Sequence, residues 1–411
     1  MAEFSKYFYE RMGEKSCSFF THPGVTCEHF AFTTFIDGII GGLQYYFPVI
    51  ILPCLHKFDR WSWEFWIKIL REYGQSVMAG SCFMIFFAFG CFCFLFNFIK
   101  KIHNIFVFVP CLTGSLFCHL LPKHVREMQA IGGFNMLIEY FIKSSKSNVV
   151  QTLKRSRIFA TFFFQLFGAT IAYVFKRSNV RKFWFFNIPL PEDTNTSISN
   201  CCERRDGWMD KIIPISRHVC SHDESCETFV MKELKKTTSF GLMVTLLKAL
   251  VSQSSFFDRT FFTQLASNFD YRLFFFLSSY GSLFKFFNCL TNRYAQTDSP
   301  KTSTIAGFMA GLAFMFYPRY VFFSFGLSRT IQVLWQYYNE TAKDKPKFIE
   351  FLNKLPHSTL IYAFSAAFLY QCRVFNPSET PKYVHHIMTI ATQKRSDTLA
   401  ESYAAMIMGF A

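Results

Sequence analysis

Two sets of soft metal-binding side chains stand out in this chain, and each one precedes a long apolar stretch. The first is Cys17-x4-His22-Pro23-x3-Cys27 and the second is Cys220-x-His222-x3-Cys226. Thiolate sulfur and imidazole nitrogen are the donors zinc favours, and a short run that holds three of them can place them around one ion. Neither set has the C-x2-C spacing of the common zinc modules. Three readings of Cys17, His22, Cys27, Cys220, His222 and Cys226 therefore stay open: structural zinc, disulfides that join the clusters in an oxidising compartment, or reduced cysteines at the start of each half. His29 and His218, with Cys201 and Cys202, lie beside the two sets. Cys82, Cys91, Cys93, Cys111, Cys118 and Cys289 fall inside apolar runs, where a thiol acts as a small hydrophobe.

The other reactive residues offer less. His218 and Asp223 have the H-x4-D spacing in which glycerolipid acyltransferases orient a histidine base with a carboxylate. No Gly-rich or Arg-bearing phosphate cradle accompanies them, and the chain has no Walker motif, dinucleotide fingerprint, H-E-x-x-H helix or G-x-S-x-G elbow. We assign no catalytic residue and no cofactor-binding residue, and expect a non-enzymatic protein. Asp37 and Lys248 stand in apolar surroundings, where an ionisable group is a functional suspect; we read both as polar contacts between helices.

The elements around these residues read as membrane helices. The chain has 411 residues, 57 of them Phe, with 20% aromatic and only 17% charged. Residues 77–99 carry no charge, 102–122 carry only His103 and His119 as ionisable groups, and 158–175 are again charge-free. Runs of ~20 apolar residues span the hydrocarbon layer. The net charge of +15 does not read as a nucleic-acid footprint, because the cations sit in short runs beside the apolar segments, as in Lys100-Lys101 and Lys176-Arg177. That is where lipid phosphates are met. Residues 57–73, with Trp61, Trp63 and Trp66 among basic side chains, read as an interfacial helix. Residues 383–393 read as a solvated or interfacial amphipathic helix.

The pattern occurs twice. After each Cys/His set comes a Gly-bearing apolar segment that stops at Pro122-Lys123 or Pro318-Arg319, then a mixed segment, then a hydrophobic run. The expected fold is all-α: a polytopic helical membrane protein built from two similar multi-helix repeats. The boundaries read as an N-terminal Cys/His segment (1–29), a first membrane repeat (30–177), a polar linker with the second Cys/His set (178–237), a second membrane repeat (238–376) and a tail (377–411). Gly307-x-x-x-Gly311 puts two residues without side chains on one helix face, where a second helix can approach closely. Gly114 occupies the corresponding segment of the first repeat.

The stretch Ile305-Ala-Gly-Phe-Met-Ala-Gly-Leu-Ala-Phe-Met-Phe-Tyr-Pro318, continued through Gly326-Leu-Ser-Arg-Thr-Ile331, resembles the segment shared by the transmembrane protein 135 family, also called peroxisomal membrane protein 52. A 24 kDa peroxisomal membrane protein shares the same stretch, and the family is distantly similar to inner-membrane translocase proteins. Cys220-Ser-His-Asp-Glu-Ser-Cys226 and His22-Pro23-x3-Cys27 resemble its cysteine-rich portions. The resemblance implies a multi-pass protein of peroxisomes and mitochondria, linked to organelle dynamics and lipid metabolism, with no established catalytic residues. Membrane lipids, and other organelle membrane proteins, are the partners it implies. The alternative is a lipid or small-molecule transporter, which the internal repeat favours.

Overall fold

Most of the long helices begin where a polar side chain or a proline occupies the position before the first turn, whose N–H groups have no intrahelical partner. Thr26, Ser156 and Asp270 each accept a hydrogen bond from the backbone N–H three residues on, and Ser299 forms a capping box with Thr302 ahead of Pro300. Pro122, Pro346, Pro356 and Pro381 precede four other helices. A computed structural model describes residues 10, 15–51, 54, 62–85, 93, 96, 105, 107–178, 220, 222, 224–251, 266–342 and 344–408. Among the described residues the regular structure is entirely helical.

The helices are, in order, α1 (Cys17–Thr21), α2 (Cys27–Tyr46, extended by a π turn over Phe47–Ile51), α3 (Trp63–Ile85), α4 (Phe108–Ser115, with a 3-10 tail over Leu116–Leu120) and α5 (Lys123–Ser144). Next come α6 (Asn148–Arg155), α7 (Arg157–Arg177), α8 (Cys226–Val251), α9 (Tyr271–Ala295), α10 (Pro300–Ala310, with a 3-10 tail over Gly311–Met315) and α11 (Tyr320–Thr341). The last four are α12 (Lys347–Lys354), α13 (His357–Phe375), α14 (Lys382–Ala391) and α15 (Arg395–Met408). The series α2 to α7 and the series α8 to α13 follow the same plan. Each has two long helices, a shorter helix with a five-residue 3-10 tail, a 22-residue helix, an eight-residue helix and a closing apolar helix.

The chain folds as two compact units. One comprises Met1–Ser145 and Lys345–Ala411, the other Lys146–Asp344. The sequence boundaries at 29/30 and 237/238 fall inside α2 and α8. In the second unit α7 packs on α10 and α11. A Cβ at Gly307 would lie 2.4 Å from the Gly168 carbonyl oxygen, and one at Gly311 would lie 2.5 Å from the Gln165 Cα. The two backbones therefore touch there, and both glycines of the G-x-x-x-G pair face α7. Buried Lys176 pairs with Asp298 at 2.7 Å and fastens the end of α7 to the turn before α10. In the first unit α13 packs on α4 and α5, where the Gln371 side chain accepts from the Val107 N–H at 3.0 Å. Gly114 is buried in α4.

Among the described residues, three helices are long and apolar enough to cross a membrane: Cys27–Ile51, Arg157–Arg177 and Tyr271–Ala295. The second coincides with the expected run at 158–175. The tryptophan segment is helical from Trp63: α3 starts there and runs unbroken into the run expected at 77–99, because no proline stands between them. Trp61 and most of 86–99 lie outside the described residues. The amphipathic helix expected at 383–393 is present, with His386 exposed on one side and a buried face on the other. α14 buries Val384 and Met388, and its Ala391 carbonyl oxygen sits 2.3 Å from where a Cβ of Gly41 would be.

Candidate metal centres

Asp37 and Lys248 both act between helices. Arg395 of α15 donates to the Asp37 carboxylate from Nε at 2.8 Å, and Lys248 donates to Asp270, the cap of α9, at 2.6 Å. His218 and Asp223 lie outside the described residues, as do Cys201 and Cys202. The two Cys/His sets are the chemistry that the fold gathers.

In the first unit, Cys17 opens α1, His22 ends it and Cys27 opens α2. His22-Pro23-Gly24-Val25 forms a tight turn in which the Val25 N–H donates to the His22 carbonyl at 3.2 Å. Pro23 supplies the fixed φ of its second position, and Gly24, at φ +73°, supplies the left-handed third position that a side chain would disfavour. The turn brings the Val25 carbonyl back over the imidazole, and His22 Nδ1–H donates to it at 2.8 Å. That bond fixes the tautomer and leaves Nε2 with a lone pair aimed at the sulfurs. Nε2 lies 3.5 Å from Cys27 Sγ and 3.6 Å from Cys93 Sγ, and Cys17 Sγ is 3.7 Å from Cys27 Sγ. His22 is 4% exposed.

The second unit repeats this. Cys226 opens α8, and Cys220 Sγ is 3.7 Å from Cys226 Sγ. His222 Nδ1–H donates to the Glu224 carbonyl at 2.7 Å, and Nε2 points at Cys289 Sγ, 3.3 Å away. In each cluster, Cys17/His22/Cys27/Cys93 and Cys220/His222/Cys226/Cys289, the four donor atoms lie within 4.8 Å of one another. Each cluster could hold a metal ion. A tetrahedral ion with sulfur at about 2.3 Å and nitrogen at about 2.0–2.1 Å has S···S edges of about 3.8 Å and S···N edges of about 3.6 Å, close to the separations found here. Burial pushes the Cys17 thiol up. The hydrogen bond with Cys226 pushes Cys220 up to about 12, while Cys226, taking hydrogen bonds from Cys220 and Cys289, is held well below the usual thiol range.

The surroundings match as well. One turn into α2, the Phe30 ring packs against His22 at 4.7 Å, with the Arg395 guanidinium on it at 4.9 Å. One turn into α8, Phe229 stacks on His222 at 4.2 Å, with Lys285 Nζ on it at 4.0 Å. Each cation pairs with a carboxylate further along the same helix, Arg395 with Asp37 at 2.6 Å and Lys285 with Glu233 at 2.7 Å.

Sequence reasoning found three members of each cluster and missed the fourth. Cys93 and Cys289 are not mere small hydrophobes; they complete the clusters. The available signal was that each lies at a similar distance downstream of Cys27 or Cys226, and that a three-ligand set leaves one corner of a tetrahedron to fill. His29 does not join; its backbone N–H serves the Thr26 cap. None of the described cysteines, including those in both clusters, is joined in a disulfide. No protein-family model, curated protein or solved structure matches the chain.

Proposed function

We propose that the chain is a non-enzymatic, multi-pass organelle membrane protein built from two similar repeats, each pinned by one structural zinc ion. The observation that carries this reading is the pair of four-ligand Cys/His clusters at the first turn of α2 and α8, the helices that open two series of matching plan. Four protein ligands leave no open position for water or substrate, which is the arrangement of structural zinc and not of catalytic zinc. On this reading the closing helices are exchanged: α7 ends the first repeat in sequence and packs with the second, and α13 does the converse.

The resemblance of residues 305–331 to the transmembrane protein 135 family supports peroxisomes and mitochondria as the site of action, and lipid metabolism and organelle dynamics as the process. Membrane lipids and other organelle membrane proteins are the partners, and no nucleic acid is among them. A second reading, a lipid or small-molecule transporter, draws support from a cavity inside the first unit.

Three measurements test the proposal. Protein purified in detergent should carry about two zinc atoms per chain by elemental analysis, as two closed sites require. It should stay in the pellet after alkaline carbonate washing. A tagged copy should coincide with peroxisomal or mitochondrial markers, and its loss should alter the cellular lipid profile. Zinc-free protein would sink the metal assignment. Signal confined to the secretory pathway would sink the organelle assignment.

A further inference from the structure

The first unit holds a partly open cavity of about 110 Å³ between α2, α3, α5, α13 and α14. Its walls carry no Asp, Glu, Lys, Arg or His, so a charged group placed inside would find no ion-pair partner, and a neutral ligand is favoured over a carboxylate or phosphate. Yet the walls are not uniformly apolar. Ser115 at the end of α4 lines the cavity, is 1% exposed, and its Oγ has no hydrogen-bond partner. Gln129 of α5 spends its carbonyl oxygen on the Tyr45 hydroxyl, which donates to it at 2.9 Å, and keeps both N–H donors free of protein partners. The hydroxyls of Tyr46 and Tyr362, which also line the space, bond to no protein group. Of these atoms Ser115 Oγ is both buried and unpaired, and native interiors rarely leave such a group without something to pair it.

We propose that this cavity binds an uncharged lipid ester, with the ester carbonyl oxygen accepting from Ser115 and Gln129 and the first methylenes of the acyl chain against the apolar wall. The unpaired groups can all donate, and a carbonyl brings acceptor lone pairs and no donor of its own, so it suits them better than an alcohol does. A cavity of ~150 Å³ lined by apolar side chains takes up benzene. The present one therefore holds the ester group and a short length of chain, with the rest of the lipid extending beyond it. The inference rests on the membrane-protein reading for its supply of ligand. It does not rest on the zinc assignment or on the organelle.

The test uses the full chain, purified in detergent with its metal content recorded. Three diazirine photoprobes are compared at neutral pH: a fatty acyl methyl ester, the matching free fatty acid, and a sterol. We expect the ester to label peptides of α2, α5 or α13 about ten-fold more than the acid, a difference worth ~1.4 kcal/mol. Ala366→Phe, which puts a ring into the cavity from α13, should remove that labelling without changing the metal content. Ser115→Ala takes away only a hydroxyl and keeps the assessment open if the larger substitution fails to fold; it should cut labelling several-fold. Equal labelling by acid and ester, stronger labelling by the sterol, or labelling that survives both substitutions would overturn the proposal. Specific ester labelling of a protein that alkaline carbonate strips from membranes would instead overturn the membrane reading and leave the cavity assignment standing.

Discussion

Replacing Cys289 by Ser should cost the second unit its metal and a measurable share of its stability. Cys289 is 1% exposed and sits in α9, so it is the ligand that ties the start of α8 to a second long helix. Without it, Cys220, His222 and Cys226 hold the ion from one local stretch only, and α9 is no longer fastened. A ligand that binds the folded state alone, present at 1,000 times its Kd, stabilises that state by about 4 kcal/mol. For a unit the size of Lys146–Asp344, each kcal/mol moves the midpoint by ~2–4 °C, so the transition should fall by ~8–16 °C. The assay is elemental analysis combined with a thermal scan in detergent, each with and without a chelator. The zinc content should drop from about two to about one per chain. The chelator should destabilise the natural protein more than the variant, because the variant has one site fewer to lose. Cys372→Ser is the control, being a buried cysteine outside both clusters that should keep both metals. A variant that retains two zinc atoms would refute the assignment of Cys289. A Cys220–Cys226 disulfide found by mass spectrometry in the natural protein would refute the metal altogether.

Cys93→Ser should remove one zinc in the same way, and Cys93→Ser/Cys289→Ser should leave none; the additivity of the loss checks that the sites are independent. Gly307→Leu forces a side chain into the contact with the Gly168 backbone and should cost more than the usual ~1–3 kcal/mol of overpacking, whereas Gly132→Ala, with nothing near it, should be close to neutral in the same thermal scan. Arg395→Ala strips Asp37 of its partner and Phe30 of its cover, and should raise hydrogen exchange in α14 and α15; adding Asp37→Asn should restore part of the protection, since no unpaired carboxylate then remains. If the double variant exchanges as fast as the single one, the ion pair is not what holds α15.

Legibility followed distance along the chain. The helical class, the run that became α7 and the break at Pro122 could be read because each depends on neighbours within a turn or two. The Cys/His sets could be read for the same reason: His22 and Cys27 are joined by one turn, and Gly24 serves that turn. That the tryptophan segment opens a longer helix could not be read, because aromatic and basic residues suit both a surface helix and the first turns of a longer one. The amphipathic helix at 383–393 could be read, but a polar, histidine-bearing helix gives no sign that a glycine face on α2 awaits its apolar side.

The sequence by itself determined an all-helical chain with apolar runs fit to cross a membrane and two soft-donor sets placed where helices begin. These follow from hydrophobic run length, helix caps and local ligand spacing. Only the tertiary structure decided that Cys93 and Cys289 complete the two sets, that α7 packs on α10 and α11 and α13 on α4 and α5, and that unpaired hydroxyls surround a cavity in the first unit. Such features belong to pairs of residues far apart in the chain. A thiol in an apolar helix is a small hydrophobe or a ligand according to what folding brings beside it, and that neighbour is not written in its own stretch of sequence.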